Sequence, residues 1–110
     1  METKLSKIFE LIKNKKLNDA KEECLSHIKK NNNNPELYNI YAIICFQLEE
    51  YDSAIKNWKK SIELNPKYFF AYNNIGKAFL NLKKFEDALY NFDKTLEIKP
   101  DFFEAYNNRG

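Results

Sequence analysis

Apolar residues recur at intervals of three and four along most of the chain, which is the spacing of one face of an α-helix. The segment 52–64 shows this pattern on a polar background. The segment 37–48 is apolar nearly all round, as is typical of a helix packed on several neighbours. Pro66 ends the former segment because it disfavours the helical conformation at Asn65. The pattern predicts helices at 2–14, 18–31, 35–48, 52–64, 69–82, 86–98 and from residue 103 onward.

The predicted helices repeat with a constant period, which is the distance along the chain from Pro66 to Pro100. The segment from Pro66 to Gly76 matches the segment from Pro100 to Gly110 at seven of eleven positions. Three further sets of residues share this repeat period: Tyr38, Tyr72 and Tyr106; Ala20, Ala54 and Ala88; and Leu17, Tyr51 and Phe85. A unit of two helices cannot bury its apolar side alone, so repeats of this length are expected to stack on one another.

These residues fall on a known pattern of about 34 residues, in which W-x2-L-G-x2-Y is followed by A-x3-F and then by P. In the third period the slots hold Tyr72, Ile75, Gly76, Phe79, Ala88, Phe92 and Pro100. In the second period they hold Tyr38, Tyr41, Ala42, Cys45, Ala54, Trp58 and Pro66. The chain resembles the tetratricopeptide-repeat (TPR) family. This resemblance implies an all-α fold of antiparallel helical hairpins stacked in a right-handed α-solenoid.

The period divides the chain into four parts. Residues 1–34 are interpreted as a degenerate N-terminal capping hairpin, since terminal repeats are often atypical and the family slots there hold Lys4, Ile8 and Asn32. Residues 35–68 and 69–102 are predicted to be full repeats, and residues 103–110 the first helix of a truncated further repeat. The run 31–34 is predicted to be a linker turn, with a short disordered tract as the alternative.

Gly76 predicts how the two helices of a hairpin pack. A glycine inside a helix costs about 1 kcal/mol relative to alanine, so close approach of the paired helix is its expected role. Ala42 fills the same slot one repeat earlier. Large residues would then fill the spaces between hairpins, namely Tyr38, Tyr72, Trp58 and Phe92.

Charge and cysteine content narrow the function. The net charge is +2 with both signs interspersed, and Arg109 is the single arginine among 18 basic residues, so nucleic acid is not an expected partner. No signal peptide or membrane-spanning run stands out, which favours a cytoplasmic location and no membrane partner. Cys24 and Cys45 are predicted to be reduced core residues, with a disulfide between them as the alternative.

No catalytic constellation is visible in the sequence. His27 is the single histidine and lies on the inner side of a predicted amphipathic helix, so a structural role is expected. Neither a glycine-rich phosphate loop nor metal-ligand spacing occurs. We therefore predict that the chain is not an enzyme and uses no cofactor or metal.

In the resembled family the first helix of each hairpin lines the concave face of the superhelix. The residues assigned to a peptide-binding surface on this basis are Asn39, Ile40, Ile43, Phe70, Asn73, Asn74, Lys77, Asn81, Asn107 and Asn108. Amides both donate and accept hydrogen bonds, so a ladder of these asparagines could hold the main chain of an extended peptide. The alternative is that they are ordinary solvated side chains in an asparagine-rich sequence.

An apolar strip beside the asparagines adds to this prediction, because exposed apolar patches commonly mark interaction sites. The strip consists of Phe9, Ile12, Ile40, Ile43, Phe46, Phe70 and Leu80. Burial between helices is the alternative for Phe46 and Leu80.

The predicted function is a scaffold that binds a protein or an extended peptide. Some members of the resembled family clamp chaperone C-terminal tails with lysine, arginine and asparagine, but only Asn74 fits that clamp here, so such tails are not expected partners. Two alternatives are an N-terminal accessory arm of a larger enzyme, of the glycosyltransferase or sulfotransferase type, and a self-association module. A homo-oligomer would form through the truncated C-terminal repeat, which presents Phe102, Phe103 and Tyr106.

Overall fold

The computed structural model describes residues 5–109, in which the chain forms seven α-helices and no strand. The helices are α1 (Ser6–Lys13), α2 (Leu17–Lys30), α3 (Pro35–Gln47), α4 (Tyr51–Leu64), α5 (Phe69–Asn81), α6 (Phe85–Ile98) and α7 (Phe103–Arg109). The prediction of an all-α stack of antiparallel hairpins is confirmed. Residues 2–4 of the first predicted helix, with the Lys4 slot, and the Gly110 slot lie outside the described residues.

Each helix packs against the next one along the chain, and α3 also contacts α5. The first helices of successive hairpins therefore lie side by side and form one face of the stack. The helix pairs α1–α2, α3–α4 and α5–α6 fall one each within the predicted units 1–34, 35–68 and 69–102. The stack measures 37 × 24 × 23 Å.

A tight turn of one kind joins the two helices of every hairpin. Lys15, Glu49 and Lys83 follow the first helices at intervals of one repeat period and have φ values of 60°, 63° and 60°. In the third hairpin the amide of Lys83 bonds to the carbonyl of Leu80 at 3.0 Å, and the amide of Lys84 to that of Phe79 at 2.8 Å. This pair of bonds is a Schellman motif, and it satisfies carbonyl groups at the end of the helix.

Asparagines shape the connections between hairpins. The run 31–34 forms the turn that joins α2 to α3, as predicted. The Asn34 side chain caps α3 by accepting a bond from the Glu36 amide at 2.9 Å, and Pro35 opens the helix. Pro fits this position because the first helical amide has no partner within the helix. The Tyr38 hydroxyl donates to the carbonyl of Asn32 at 3.0 Å and fixes the turn to the helix.

The core forms where hairpins meet. One cluster joins α1, α2 and α3, with Ile8, Cys24 and Ile44 fully buried, and another joins α3, α4 and α5. Cys24 and Cys45 are free and buried, and burial raises the pKa of the Cys24 thiol to about 12. This agrees with the prediction that both are reduced core residues.

Gly76 lies against the paired helix, as predicted. A Cβ added there would lie 2.5 Å from Cε1 of Phe92, which is closer than real Cβ contacts come. Phe92 and Trp58 are buried, whereas Tyr38 and Tyr72 are only partly buried. The two large residues of the second helices therefore fill the interior more completely than the tyrosines of the first helices.

Candidate binding groove

The face formed by α3, α5 and α7 carries side chains in rows whose members are one repeat period apart, and we call it the inner face. One row consists of Asn39, Asn73 and Asn107, and the row beside it consists of Ile40, Asn74 and Asn108. Because the helices lie side by side, a residue in the first row of one hairpin comes close to the second row of the next hairpin.

The asparagines of the first row are buried where another hairpin follows them. Asn39 is 9% exposed, and its Oδ1 accepts bonds from Trp58 Nε1 at 2.8 Å and from Asn74 Nδ2 at 3.4 Å. Asn73 is 2% exposed, and its Oδ1 accepts a bond from Asn108 Nδ2 at 3.4 Å. These bonds form a ladder of asparagine side chains, which links α3 to α5 and α5 to α7.

A charged pair continues this ladder at α7. Asn73 Nδ2 and Lys77 Nζ both donate to Glu104 Oε1, each at 3.2 Å. Among the described residues no buried side-chain nitrogen or oxygen lacks a hydrogen-bond partner. Since a buried polar group that loses its partner is costly, these bonds fix the register between α5 and α7.

Burial removes three residues of the predicted peptide-binding set from the surface, namely Asn39, Ile40 and Asn73. Ile40 is 4% exposed and packs in the core with Leu37 and Ile44, so its side chain is not available to a ligand. Its position in the second row brings it against the preceding hairpin, where an apolar side chain becomes covered. The peptide-binding role predicted for Ile40 is therefore wrong.

The rest of the predicted set divides by exposure. Ile43, Asn74, Lys77 and Asn108 are partly exposed, while Phe70, Asn81 and Asn107 are exposed. Asn81 donates to the carbonyl of Lys77 in its own helix at 3.0 Å. In the apolar strip Phe9 is exposed, Ile12, Phe46 and Leu80 are partly exposed, and Phe46 packs against the core cluster that joins α3, α4 and α5.

A cavity of about 260 Å³ opens on the inner face between α3 and α5. It is lined by Ile43, Phe46, Gln47, Trp58, Asn74 and Lys77. The Phe46 ring forms its aromatic wall, 5.4 Å from the Tyr51 ring and 5.9 Å from the Trp58 ring between centroids. A larger cavity of about 490 Å³ lies between α2 and α3 near Leu5, away from these rows.

Trp58 was not among the predicted lining residues. It belongs to the second helix of its hairpin, and the sequence pattern placed it in the interior. Its indole N–H group donates to Asn39 of the inner face, and the side chain lines the floor of the cavity. The pairing could have been suspected, because a buried indole N–H usually finds a partner.

An aromatic group forms one end of the inner face, where the hairpins are connected. Phe70 lies 4.3 Å from Phe69, 6.2 Å from Tyr68 and 5.7 Å from Phe102 between ring centroids. Burial is the largest cause that raises the pKa of Tyr68, and the negative charge of Glu36 raises it further. A hydrogen bond with the Asn39 side chain lowers this pKa. Sequence reasoning missed Tyr68 and Phe102 as partners of Phe70, although they are themselves one repeat period apart.

Metal and membrane sites can also be assessed within residues 5–109. That part of the chain contains no group of three or more histidine, cysteine, aspartate or glutamate side chains placed to hold a metal ion. Its helices are also too short or too polar to cross a membrane. His27 Nε2 lies 3.7 Å from Glu23 Oε1 on the same helix.

Two protein-family models match parts of this chain. A model described as TPR repeat matches residues 43–83, and one described as tetratricopeptide repeat matches residues 69–102, so together they span residues 43–102. No curated protein sequence matches the chain.

Solved structures resemble the whole stack. The first TPR domain of Spaghetti (RPAP3), bound to the HSP90 peptide SRMEEVD, has a TM-score of 0.91 and 27% identity over 96% of this chain and 84% of that chain. MamA has a TM-score of 0.89 and 26% identity over 96% of this chain and 62% of that chain. The second TPR domain of human RPAP3, in complex with the HSP70 peptide SGPTIEEVD, has a TM-score of 0.89 and 23% identity over 96% and 88% of the two chains, a likeness that concerns the fold alone.

The repeat models agree with the period read from the sequence, and the solved structures agree with the pairing of the helices. The chain belongs to the tetratricopeptide-repeat family.

Proposed function

We propose that the inner face binds an extended peptide or an extended segment of a partner protein. The observation that carries this proposal is the cavity between α3 and α5, which combines apolar walls with the polar groups of Gln47, Asn74 and Lys77. Ligand pockets typically have this composition, with a few polar groups that fix orientation. The structurally similar first TPR domain of RPAP3 holds a peptide, which supports the same class of function here.

The apolar part of the cavity suits one bulky aliphatic side chain of the peptide. Ile43 and Phe46 line it beside the indole of Trp58. Both are partly exposed, so a ligand side chain would remove apolar surface from water at about 25 cal/mol per Å². This contact would contribute affinity and would require only an apolar side chain of suitable size.

The asparagines contribute to this proposal in two different ways. Asn74, Asn107 and Asn108 reach the surface, and we assign contacts with the peptide main chain to their amides. Asn39 and Asn73 are positioning residues instead, since their bonds hold Asn74 and Asn108 in place. The ligand-holding ladder predicted from the sequence is thereby reduced to its exposed members.

Acidic chaperone tails remain poor candidates as ligands. The positions that would clamp a terminal carboxylate hold Leu5, Phe9, Ile40, Phe70 and Asn74, or, one repeat further on, Asn39, Ile43, Asn74, Glu104 and Asn108. Lys77 does lie on the inner face, but Glu104 already pairs with it at 3.2 Å. We therefore expect the peptide SRMEEVD to bind more weakly to this chain than to the RPAP3 domain.

A peptide array tests the proposal. Capped random-sequence peptides are probed with the wild-type chain, with Ile43→Ser, and with a variant that carries Asn74→Ala, Asn107→Ala and Asn108→Ala. Lys56→Ser is the matched control, because Lys56 is exposed on α4 and does not line the cavity. Peptides with aliphatic residues should be retained by the control and lost with Ile43→Ser. Equal binding by all four proteins, or none by the wild type, would reject the inner face as the site.

Self-association is a second candidate, and it is favoured by a specific observation. Leu89 of α6 is 41% exposed, whereas Ile55, its equivalent one repeat earlier, is 7% exposed beneath α5. Phe85 on the same helix, and Phe103 and Tyr106 on the adjacent α7, are also exposed. A second copy of the chain could cover these residues as the next hairpin covers their equivalents.

A further inference from the structure

A strip of three side chains borders the inner face at the start of α3 and α5. It consists of Glu36, the second residue of α3, then Tyr68, and then Phe70, the second residue of α5. The Tyr68 ring is 6.2 Å from that of Phe70, and Glu36 and Phe70 hold equivalent positions, one repeat period apart, on the neighbouring helices α3 and α5. The strip therefore places one carboxylate, one phenol and one aromatic face next to one another.

Two members of the strip are open to a ligand. Phe70 is 47% exposed although three rings surround it. Glu36 is exposed, and within residues 5–109 no basic side chain pairs with its carboxylate. The N-terminus of α3 carries roughly half a positive charge, which is less than the full negative charge of Glu36, so this corner stays negative.

The same group of rings already holds an ammonium group. Lys99 Nζ lies 5.7 Å from the centroid of Phe69, and Phe69 is 4.3 Å from Phe70. That lysine also pairs with Asp101 at 3.2 Å, so a ring and a carboxylate share one cation. Phe70 and Glu36 offer this same combination, but without an internal cation among the described residues.

We propose that the strip binds a lysine or arginine side chain of the peptide on the inner face. The cation would lie over the Phe70 ring, with Glu36 as its counter-ion and the Tyr68 hydroxyl as a further acceptor. This inference rests on the proposed peptide-binding function and adds the class of side chain that the peptide carries beside the cavity. A cation–π contact next to a carboxylate corresponds to about a threefold to tenfold gain in affinity.

The test uses one capped peptide with a leucine for the cavity and a scanned position that is lysine, norleucine or glutamate. Norleucine keeps the length of the lysine stem and removes its charge. Calorimetric titration of the wild-type chain should show tightest binding with lysine at one position and weakest with glutamate. The preference for lysine should fall as salt is raised, since exposed charges are screened.

Three variants locate the effect. Glu36→Gln and Phe70→Leu should bring the lysine and norleucine peptides to nearly equal affinity, without weakening the norleucine peptide. Glu86→Gln is the control, because Glu86 is likewise an exposed carboxylate in the first turn of a helix, but on α6, which is not part of the inner face. It should leave the lysine preference in place. Thermal melts confirm that Phe70→Leu is folded, and Glu36→Gln gives the same test from an exposed position.

The outcomes separate the two proposals. Binding of the leucine peptides without a lysine preference, or with a preference that survives both Glu36→Gln and Phe70→Leu, overturns the cation site and leaves the peptide groove. Tighter binding of the glutamate peptide also overturns it. No binding of any of these peptides or of the array peptides overturns the groove and the cation site together.

Discussion

At the scale of single residues, the packing inside each hairpin depends on a pair of positions, one in the first helix and one in the second. The pairs are Ile8 with Cys24, Ala42 with Trp58, and Gly76 with Phe92. All six residues are buried. A bulky first member faces a small second member in the first hairpin, whereas a small first member faces a large aromatic ring in the other two. The first hairpin therefore departs from the family pattern at both positions in a compensating way, which explains how it keeps the same shape.

Gly76→Ala tests this compensation directly. The added methyl group would lie 2.5 Å from the Phe92 ring, and overpacking of this kind typically costs about 1–3 kcal/mol, against a gain of about 1 kcal/mol in helix propensity. We expect a net loss of up to about 2 kcal/mol in the free energy of unfolding, measured with urea. The double variant with Phe92→Leu should lose less than the sum of the two single changes. Strict additivity would contradict the pairing.

Asn73 and Asn107 form a second comparison, because they occupy the same row and differ in burial. Asn73→Ala removes bonds to Glu104 and Asn108 and leaves a small void. We expect it to lower the free energy of unfolding by about 1–3 kcal/mol. Asn107→Ala, at an exposed position, should change stability by less than about 0.5 kcal/mol. Equal effects in urea unfolding would mean that the buried ladder does not hold the hairpins together.

At the scale of elements, the sequence predicted the helices closely because the signals were local. Proline at 66 and the apolar spacing placed the end of α4 correctly at Leu64. The tight turns at Lys15, Glu49 and Lys83 were not predicted, because these positions do not hold glycine or asparagine, the residues that commonly adopt a positive φ. They are enforced by the helices on both sides, which is a tertiary constraint that local preference does not reveal.

The positive φ angles of these turn residues carry backbone strain that a glycine would relieve. A non-glycine residue in the left-handed conformation costs roughly 1–2 kcal/mol. Glycine avoids this cost, but it also makes the unfolded chain more flexible, which offsets about 0.4–1 kcal/mol of the gain. We therefore expect Lys83→Gly to raise the free energy of unfolding by about 0.5–1 kcal/mol. Lys56→Gly is the matched control, since Lys56 is an exposed lysine inside α4, where φ is already negative and glycine costs about 1 kcal/mol of helix propensity. It should lower stability, and a gain from both changes would contradict this account.

The candidate site was less predictable than the helices. From helical geometry, the sequence analysis correctly placed Asn39, Asn73 and Asn107 on one side of the first helices. It could not give the depth of each residue, because depth depends on how closely the neighbouring hairpin approaches. Ile40 and Asn73 became buried for this reason, while Asn107, with no later hairpin over it among the described residues, stayed exposed.

At the scale of the whole molecule, most of the exposed large apolar side chains among the described residues lie on α6 and α7. The side of α6 that corresponds to the covered side of α4 presents Phe85 and Leu89, and α7 adds Phe103 and Tyr106. Because stacked hairpins are stabilised by their neighbours, an uncovered hairpin face is the place where a second copy gains most by docking. The inner face runs along the side of the stack, so association at this end would leave the proposed peptide groove open.

Sedimentation velocity over a range of concentrations tests this last idea. The wild-type chain should shift toward a dimer as concentration rises, and Leu89→Glu should keep it monomeric by placing a charge in the contact. Tyr90→Glu is the control: Tyr90 is also exposed on α6, but its equivalent in α4 is the exposed Lys56, so this position faces water in both hairpins. Tyr90→Glu should therefore associate like the wild type. A chain that stays monomeric throughout, or one that loses association equally with both changes, would remove self-association from the candidates and leave peptide binding as the function of the stack.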